Sequence, residues 1–257
     1  MKKTSSSDQE STWSTDGLFD ARIARTYDEE SAAMFAPEVL DPAVDFLAEL
    51  ANGRRVLEFA IGTGRVALPL SARGLDVSGI EMSRAMVAEM MAKPGAEDVP
   101  VTIGDMASVR AEGRFGLVFL VYNTITNLLT QDEQVACFNN AAAHLDTGGY
   151  FVVEVFIPPL RRLSPGRNLL ASDVSDGHIG VDEIDLLNQI LTSHHYWISD
   201  GRADTFSSAH RYAWPAEYDL MARIAGFALR ERWSDWQRTP FTGDSTSHVS
   251  VWEKTGT

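Results

Sequence analysis

Between residues 55 and 157, five short apolar runs alternate with stretches of helical periodicity, and this alternation limits the possible folds more than any other feature of the chain. The runs cover 55–60, 75–80, 99–103, 115–122 and 150–157. Neighbouring parallel strands can be joined only by a long crossover, so strand signals spaced by helices predict a parallel α/β sheet. The run 115–122 is almost wholly apolar, as a strand covered on both faces requires. Helical patterns fill the gaps: 66–72, closed by Gly74; a segment capped by Ser83 and stopped by Pro94-Gly95; and about 132–145, followed by Gly148-Gly149. Residues 18–50 also have helical periodicity. Leu18, Phe19 and Ile23 form one stripe, and Val44, Phe46, Leu47 and Leu50 a second, with Asp41 as N-cap and Pro42 at the first helical position.

The pattern changes after Pro158-Pro159. Residues 160–177 read as a loop rich in Ser, Gly and Asp. Residues 179–198 and 203–213 read as an antiparallel hairpin or small sheet turning at Ser199-Asp200-Gly201. In that hairpin His195 faces Phe206 and His210 faces Leu191, so both histidines share one face and His194 takes the other. Pro215 opens a helix ended by Gly226, and 229–236 and 248–253 supply two more strands. The chain therefore divides into a polar tail (1–17), N-terminal helices with an α/β core (18–157), a loop and β insertion (158–213) and a closing helix and strands (214–257).

Acidic residues number 36 against 22 Lys and Arg, a formal charge of −14. That field repels phosphate polymers and anionic membrane surfaces and tolerates cationic ligands. The lone Cys137 rules out an intrachain disulfide and a multi-cysteine zinc site, and it fits a reducing, cytoplasmic setting. No stretch approaches 18 apolar residues, so no membrane span is expected. The two N-terminal lysines are not followed by an apolar run, so no secretory leader is read there.

Gly62-Thr63-Gly64-Arg65-Val66-Ala67 fits G-x-G-x-x-A between a strand and a helix, a nucleotide-binding pattern common to several enzyme classes. Glu81, ending the second strand, can accept from ribose hydroxyls in any of them. Two features separate the rival cofactors. Glu58 would oppose a pyrophosphate but suits a ligand with an amino group and a sulfonium. Asp105, in Gly104-Asp105-Met106, can accept from an adenine amine. Both disfavour a nicotinamide-dependent oxidoreductase.

With Val56-Leu57-Glu58-Phe59-Ala60-Ile61-Gly62-Thr63-Gly64-Arg65, Gly79-Ile80-Glu81-Met82-Ser83 and Gly104-Asp105-Met106, the sequence resembles the class I S-adenosylmethionine-dependent methyltransferases. The resemblance implies a Rossmann-like seven-stranded sheet of order 3-2-1-4-5-7-6 with its last strand antiparallel, and an antiparallel β insertion after strand 5. It departs at Ala60, where the family usually has a glycine; alanine there costs little at negative φ. The resemblance places the methionine part on Glu58, Ala60, Gly62, Thr63 and Gly64. It places the ribose on Glu81, the adenine on Met82, Asp105 and Met106, and the methyl group beside Val121 and Tyr122, with Tyr27 as a covering aromatic. The reaction product of the cofactor is S-adenosylhomocysteine.

The second half is similar to small-molecule methyltransferases, such as amino-sugar N-methyltransferases and glycine N-methyltransferase-like enzymes. The insertion would wall an acceptor site and offers a surface for pairing two subunits into a homodimer. Tyr122-Asn123-Thr124-Ile125 replaces the Asp/Asn-Pro-Pro-aromatic motif of enzymes acting on nucleic acid or protein, which leaves a small molecule methylated at N or O. Tyr122, Asn123 and His195 are the candidate acceptor contacts. A hydroxyl acceptor would use a base, from His195, His210 or Tyr122; an amine would not need one in the displacement itself. His144 is expected on the surface. No metal cluster is expected. Five of the six tryptophans follow residue 190; packing of the hairpin on the sheet is the simpler reading, an aromatic acceptor wall the other. A protein that keeps the fold and the cofactor without transferring methyl groups is the alternative function.

Overall fold

The computed structural model describes residues 19–199 and 202–256, so the polar tail, Leu18 and the centre of the 199–201 turn lie outside the described residues. The elements run α1 (Ala21–Glu30), α2 (Pro37–Ala51), β1 (Val56–Phe59), α3 (Ala67–Ala72), β2 (Val77–Glu81), α4 (Arg84–Met91), β3 (Val101–Ile103), β4 (Phe115–Leu120), α5 (Gln131–His144) and β5 (Leu145–Phe156). The insertion contributes β6 (Leu169–Ser175), β7 (His178–Asp185), β8 (Ile190–Ser199) and β9 (Arg202–Arg211). The chain closes with α6 (Pro215–Ile224), β10 (Phe227–Trp233) and β11 (Ser247–Lys254).

Seven strands form one sheet in the order β10-β11-β5-β4-β1-β2-β3, with β11 antiparallel to β5. This is the expected seven-stranded order. Apolar side chains from β1, β2, β4 and β5 fill a buried cluster on each face of the sheet. The chain leaves β1 toward β2 on one side, while β4 lies on the other. Ligands of open α/β sheets bind beyond the carboxyl ends of the strands at such a switch point.

Several local expectations change. α2 starts at Pro37, at the first helical position, so Pro42 lies inside the helix and Asp41 is not its cap. Gly148 (φ 76) falls within β5, in an irregular stretch between the pairs Phe115–Leu145 and Leu117–Tyr150. β4 ends at Leu120, because Tyr122 and Asn123 both turn left-handed (φ 56 and 62). Glu154 pins this turn: its Oε2 accepts from Tyr122 N at 2.9 Å, and its backbone O accepts from Asn123 N at 3.2 Å.

His144 is buried, not on the surface. It ends α5 against the rings of Phe59 and Phe115, its Nε2 accepts from Ala111 N at 3.0 Å, and its Nδ1 donates to Asn140 O at 2.8 Å. Burial pushes its pKa down, so the neutral ring serves as a structural link.

The insertion is a second sheet, in the order β6-β7-β8-β9. It is the small antiparallel sheet rather than a lone hairpin, with four strands, and its first strand lies in the stretch 160–177 read as loop. The pairs His195–Phe206 and Leu191–His210 are as expected. The base of one face is apolar, with Ile184, Leu191 and Tyr212 packed on Phe156, Leu160 and Leu163. Buried Arg211 fastens β9 to the core: Nη1 donates to Gln134 Oε1 at 2.6 Å and Nη2 to Glu217 Oε1 at 2.5 Å.

Candidate active site

The turn after β1 needs left-handed backbone at Ala60, Gly62 and Gly64 (φ 52, 58 and 79). The positive φ at Ala60 means that alanine is strained where a glycine would be at ease. The turn is held by Glu81, at the end of β2. Its Oε2 accepts from Gly62 N at 2.9 Å and its Oε1 from Ser83 N at 2.8 Å. Burial raises the Glu81 pKa, and these N–H groups oppose the rise. The strands themselves sit close: a Cβ on Gly79 would lie 2.5 Å from the Ile61 side chain.

Helix α1 lies across this turn. Thr63 Oγ1 donates to Asp28 Oδ1 at 2.6 Å, and Lys93 pairs with Asp28 while donating to Thr63 O at 2.8 Å. Ser83 caps α4 by accepting from Met86 N at 3.1 Å, and its hydroxyl donates to Phe19 O at 2.6 Å. Phe19 packs edge-on to Tyr27 at 5.9 Å. Burial first, then the neighbouring Tyr122, pushes the Tyr27 phenol up to about 12.

Over these elements opens a cavity of about 390 Å³, within the size range of small-ligand sites. One end is lined by Tyr27, Ala60, Gly62, Glu81, Met82, Asp105 and Met106. Asp105 also caps its own loop, accepting from Ala107 N at 2.8 Å. The other end is lined by Thr124, Asn127, Leu128, Leu129 and Glu133 and by Ser207, Ser208 and Ala209 on β9, an edge strand.

Glu58, Thr63, Gly64, Val121, Tyr122, Asn123, His195 and His210 are not on the cavity wall. Glu58 is only 3 % exposed, and its Oε2 has no hydrogen-bond partner. Burial raises its pKa well above the ordinary carboxylate value, opposed by Arg65 and the Ala67 N–H. Asn123 braces β5, its Oδ1 accepting from Phe156 N at 2.7 Å. Arg65 lies over the Tyr122 ring at 5.3 Å. His195 stacks on His178 (5.2 Å) and Trp197 (5.6 Å), with Nδ1 3.1 Å from His178 Nε2; His178 Nδ1 is in turn 2.6 Å from Asp173 Oδ2. His210 stands directly behind the wall, with Nε2 2.9 Å from Ser208 Oγ and Nδ1 3.1 Å from Thr126 Oγ1.

The charge of the lining decides between cofactors. It carries Glu81, Asp105 and Glu133 and no Lys or Arg, and the Gly62 N–H is already taken by Glu81. A pyrophosphate would meet carboxylates without compensating cations. A ligand with a sulfonium and an ammonium fits this lining. A family described as "Methyltransferase domain" matches residues 56–149. The CcbJ methyltransferase from Streptomyces caelestis is 37 % identical, with a TM-score of 0.82 over 93 % of this chain and 98 % of that one. The chain belongs to the S-adenosylmethionine-dependent methyltransferases. A curated relative, the cypemycin N-terminal methyltransferase from Streptomyces sp, is 26 % identical over 89 % of this chain and 97 % of its own length. The fold is shared with CalS10, an amino pentose methyltransferase from Micromonospora echinaspora (TM-score 0.66, 22 % identity, 90 % and 97 % covered).

S-adenosylmethionine, when bound, supplies a methyl group on a positively charged sulfur, open to in-line displacement. Among the described residues of the methyltransferase, no His, Cys, Asp or Glu side chains group as metal ligands, and no helix is long and apolar enough to cross a membrane. Sequence reasoning missed Thr124, Asn127, Leu128, Ser207 and Ser208 on the wall. Small neutral or apolar side chains in a turn and on an edge strand carry no periodic or charge signal.

Proposed function

We propose that this methyltransferase transfers a methyl group to the nitrogen of a small-molecule amine. The observation that carries the reading is the acidic lining without cations, which favours an acceptor arriving as an ammonium. The two N-methylating or amino-sugar relatives named above point the same way. In this reading Glu81 takes the ribose, Asp105, Met82 and Met106 take the adenine, and Tyr27 covers the cofactor. Ala60 and Gly62 line the methionine arm; Thr63 and Gly64 shape their loop from behind, and the buried Glu58 lies below it, where a cationic ligand would favour its ionised form. Val121 and Tyr122 act from behind the wall, and the acceptor lies against Thr124, Asn127 and β9. Orientation of the two reactants supplies most of the rate, on the order of 7–11 kcal/mol in ideal cases.

The segment 158–213 forms the acceptor wall. Its far face exposes Val174, Ile179, Tyr196 and Ile198, a surface suited to a homodimer. The single buried thiol suits the cytoplasm. Incubation with methyl-labelled cofactor and a panel of amines, phenols and glycosides tests the reading. Label should enter amines, with or without a chelator. Label confined to hydroxyl groups, or a strict requirement for Mg²⁺, would overturn it.

A further inference from the structure

Three hydrogen bonds lead away from the cavity wall, and their directions can be assigned. Thr126 Oγ1 lies 2.7 Å from the carbonyl oxygen of Asn123, which only accepts, so the threonine hydroxyl donates there. Its oxygen is left to accept, and the partner at 3.1 Å is His210 Nδ1, which must carry the hydrogen. A neutral imidazole protonated at Nδ1 has a bare Nε2. The Ser208 hydroxyl, 2.9 Å away, therefore donates to it. Ser208 lines the cavity, so it presents lone pairs to the acceptor and no hydrogen. Ser208 and His210 are two apart on β9 and share a face, which keeps the ring behind the hydroxyl.

We propose that Ser208 receives a proton from the ammonium of the acceptor and relays it to His210, freeing the nitrogen lone pair for methylation. This rests on the amine reading above. The acceptor N–H bond breaks as its proton bonds to Ser208 Oγ, and the serine's own proton passes to His210 Nε2. The imidazolium then donates at both nitrogens, to Ser208 and to Thr126. The freed lone pair forms the C–N bond as the C–S bond breaks, with the C–S electrons remaining on sulfur. Ser208 is thus the catalytic residue; His210 is the proton sink, and Thr126 and Asn123 are positioning residues that fix its tautomer.

The surroundings suit a ring that starts neutral. Burial lowers the His210 pKa. Asp182 on β7 works against the shift, and His195 on β8 works with it. The Asp182 charge is engaged by Ser193 Oγ at 2.8 Å. The turn packed against the ring contributes only the neutral Thr126.

The experiment uses the full chain in two arms. The first is nitrogen-15 NMR of labelled histidine near pH 7, where His210 is expected neutral with hydrogen on Nδ1. Hydrogen on Nε2 would overturn the relay while leaving the methyltransferase reading intact. The second is single-turnover methylation of alaninamide, glucosamine and aminoacetonitrile, whose ammonium groups are progressively more acidic. Ser208→Ala should slow the least acidic ammonium by about 10²-fold or more and aminoacetonitrile hardly at all, with cofactor affinity by calorimetry unchanged. Ser208→Thr, which keeps the hydroxyl, should restore the rate. An equal loss on all three amines, or no loss, would overturn the relay alone. Failure of the wild type to methylate any amine would overturn the amine reading and the relay with it.

Discussion

The two ends of the cavity are built on different principles. At the cofactor end, loops of a buried parallel sheet are tied by carboxylates: Glu81 holds Gly62 and Ser83, and Asp28 holds Thr63 and Lys93. At the proposed acceptor end, the wall is a turn and the edge of a small antiparallel sheet with hydroxyl and imidazole groups behind it. In the proposed function the first end fixes one ligand by backbone placement and charge. The second is set by a few short side chains that can change without disturbing the core, which suits a fold that meets many acceptors.

Separating the two regions should have the largest effect. Arg211 joins them, buried between Gln134 and Glu217. Arg211→Ala removes the only cation paired with Glu217 among the described residues and the donor to Gln134 Oε1, and is expected to lower stability by about 3–5 kcal/mol, read by chemical denaturation. Gln189 and Gln131 also bond to Glu217, and burial is outweighed, so the carboxyl is held below its ordinary value of 4.5. The gap between wild type and variant should therefore be full above that value and shrink in acid, as the wild type loses the ionised pair. A loss below 1 kcal/mol would mean that the insertion is held by its apolar base alone.

Next comes Glu58, whose burial favours binding over folding. Glu58→Gln should raise the stability of the cofactor-free protein by on the order of 1–3 kcal/mol near neutral pH and weaken cofactor affinity about tenfold. The sign of the pH dependence follows from the raised carboxyl. Below the ordinary Glu value both folded and unfolded chains are protonated, and the wild type carries no penalty. As pH rises past about 4.5 the unfolded chain ionises first, so the advantage of the variant should appear there and grow. A constant difference across pH would contradict this account of Glu58. Smaller still is the strain at Ala60 (φ 52). Ala60→Gly should gain up to about 1 kcal/mol, because relief of the left-handed alanine is partly offset by the freedom glycine regains on unfolding. A loss of stability would mean that the methyl packing of Ala60 outweighs the strain.

The same contrast explains what could be read in the sequence. Strands β1, β2, β4 and β5 are buried on both faces, so they stand out as apolar runs, and the acidic and glycine residues at their ends mark the cofactor end. Strand β6 is exposed along most of its length, so Leu169–Ser175 reads as loop. Strands β7 and β8 read as one run because their turn, Leu186-Leu187-Asn188-Gln189, contains no Gly or Pro. Asp185 makes that turn instead, its Oδ1 accepting from Leu187 N at 2.9 Å and Asn188 N at 3.1 Å. The histidines were legible as residue types, and their facing was legible from the hairpin. That His195 belongs to a ring stack depends on the pairing of β7 with β8, and that Ser208 meets the cavity in front of His210 depends on how the sheet docks; local sequence encodes neither.

The placement of the cofactor is the central claim, and calorimetric titration tests it most directly. The wild type should bind S-adenosylmethionine and S-adenosylhomocysteine and should not bind a nicotinamide dinucleotide. Glu81→Ala removes charge-assisted hydrogen bonds to the ribose, each worth about 1.5–3 kcal/mol. It should weaken binding by about ten- to a few-hundred-fold, provided near-ultraviolet circular dichroism shows the fold retained. Unchanged affinity in a folded Glu81→Ala protein, or tight dinucleotide binding by the wild type, would contradict the account.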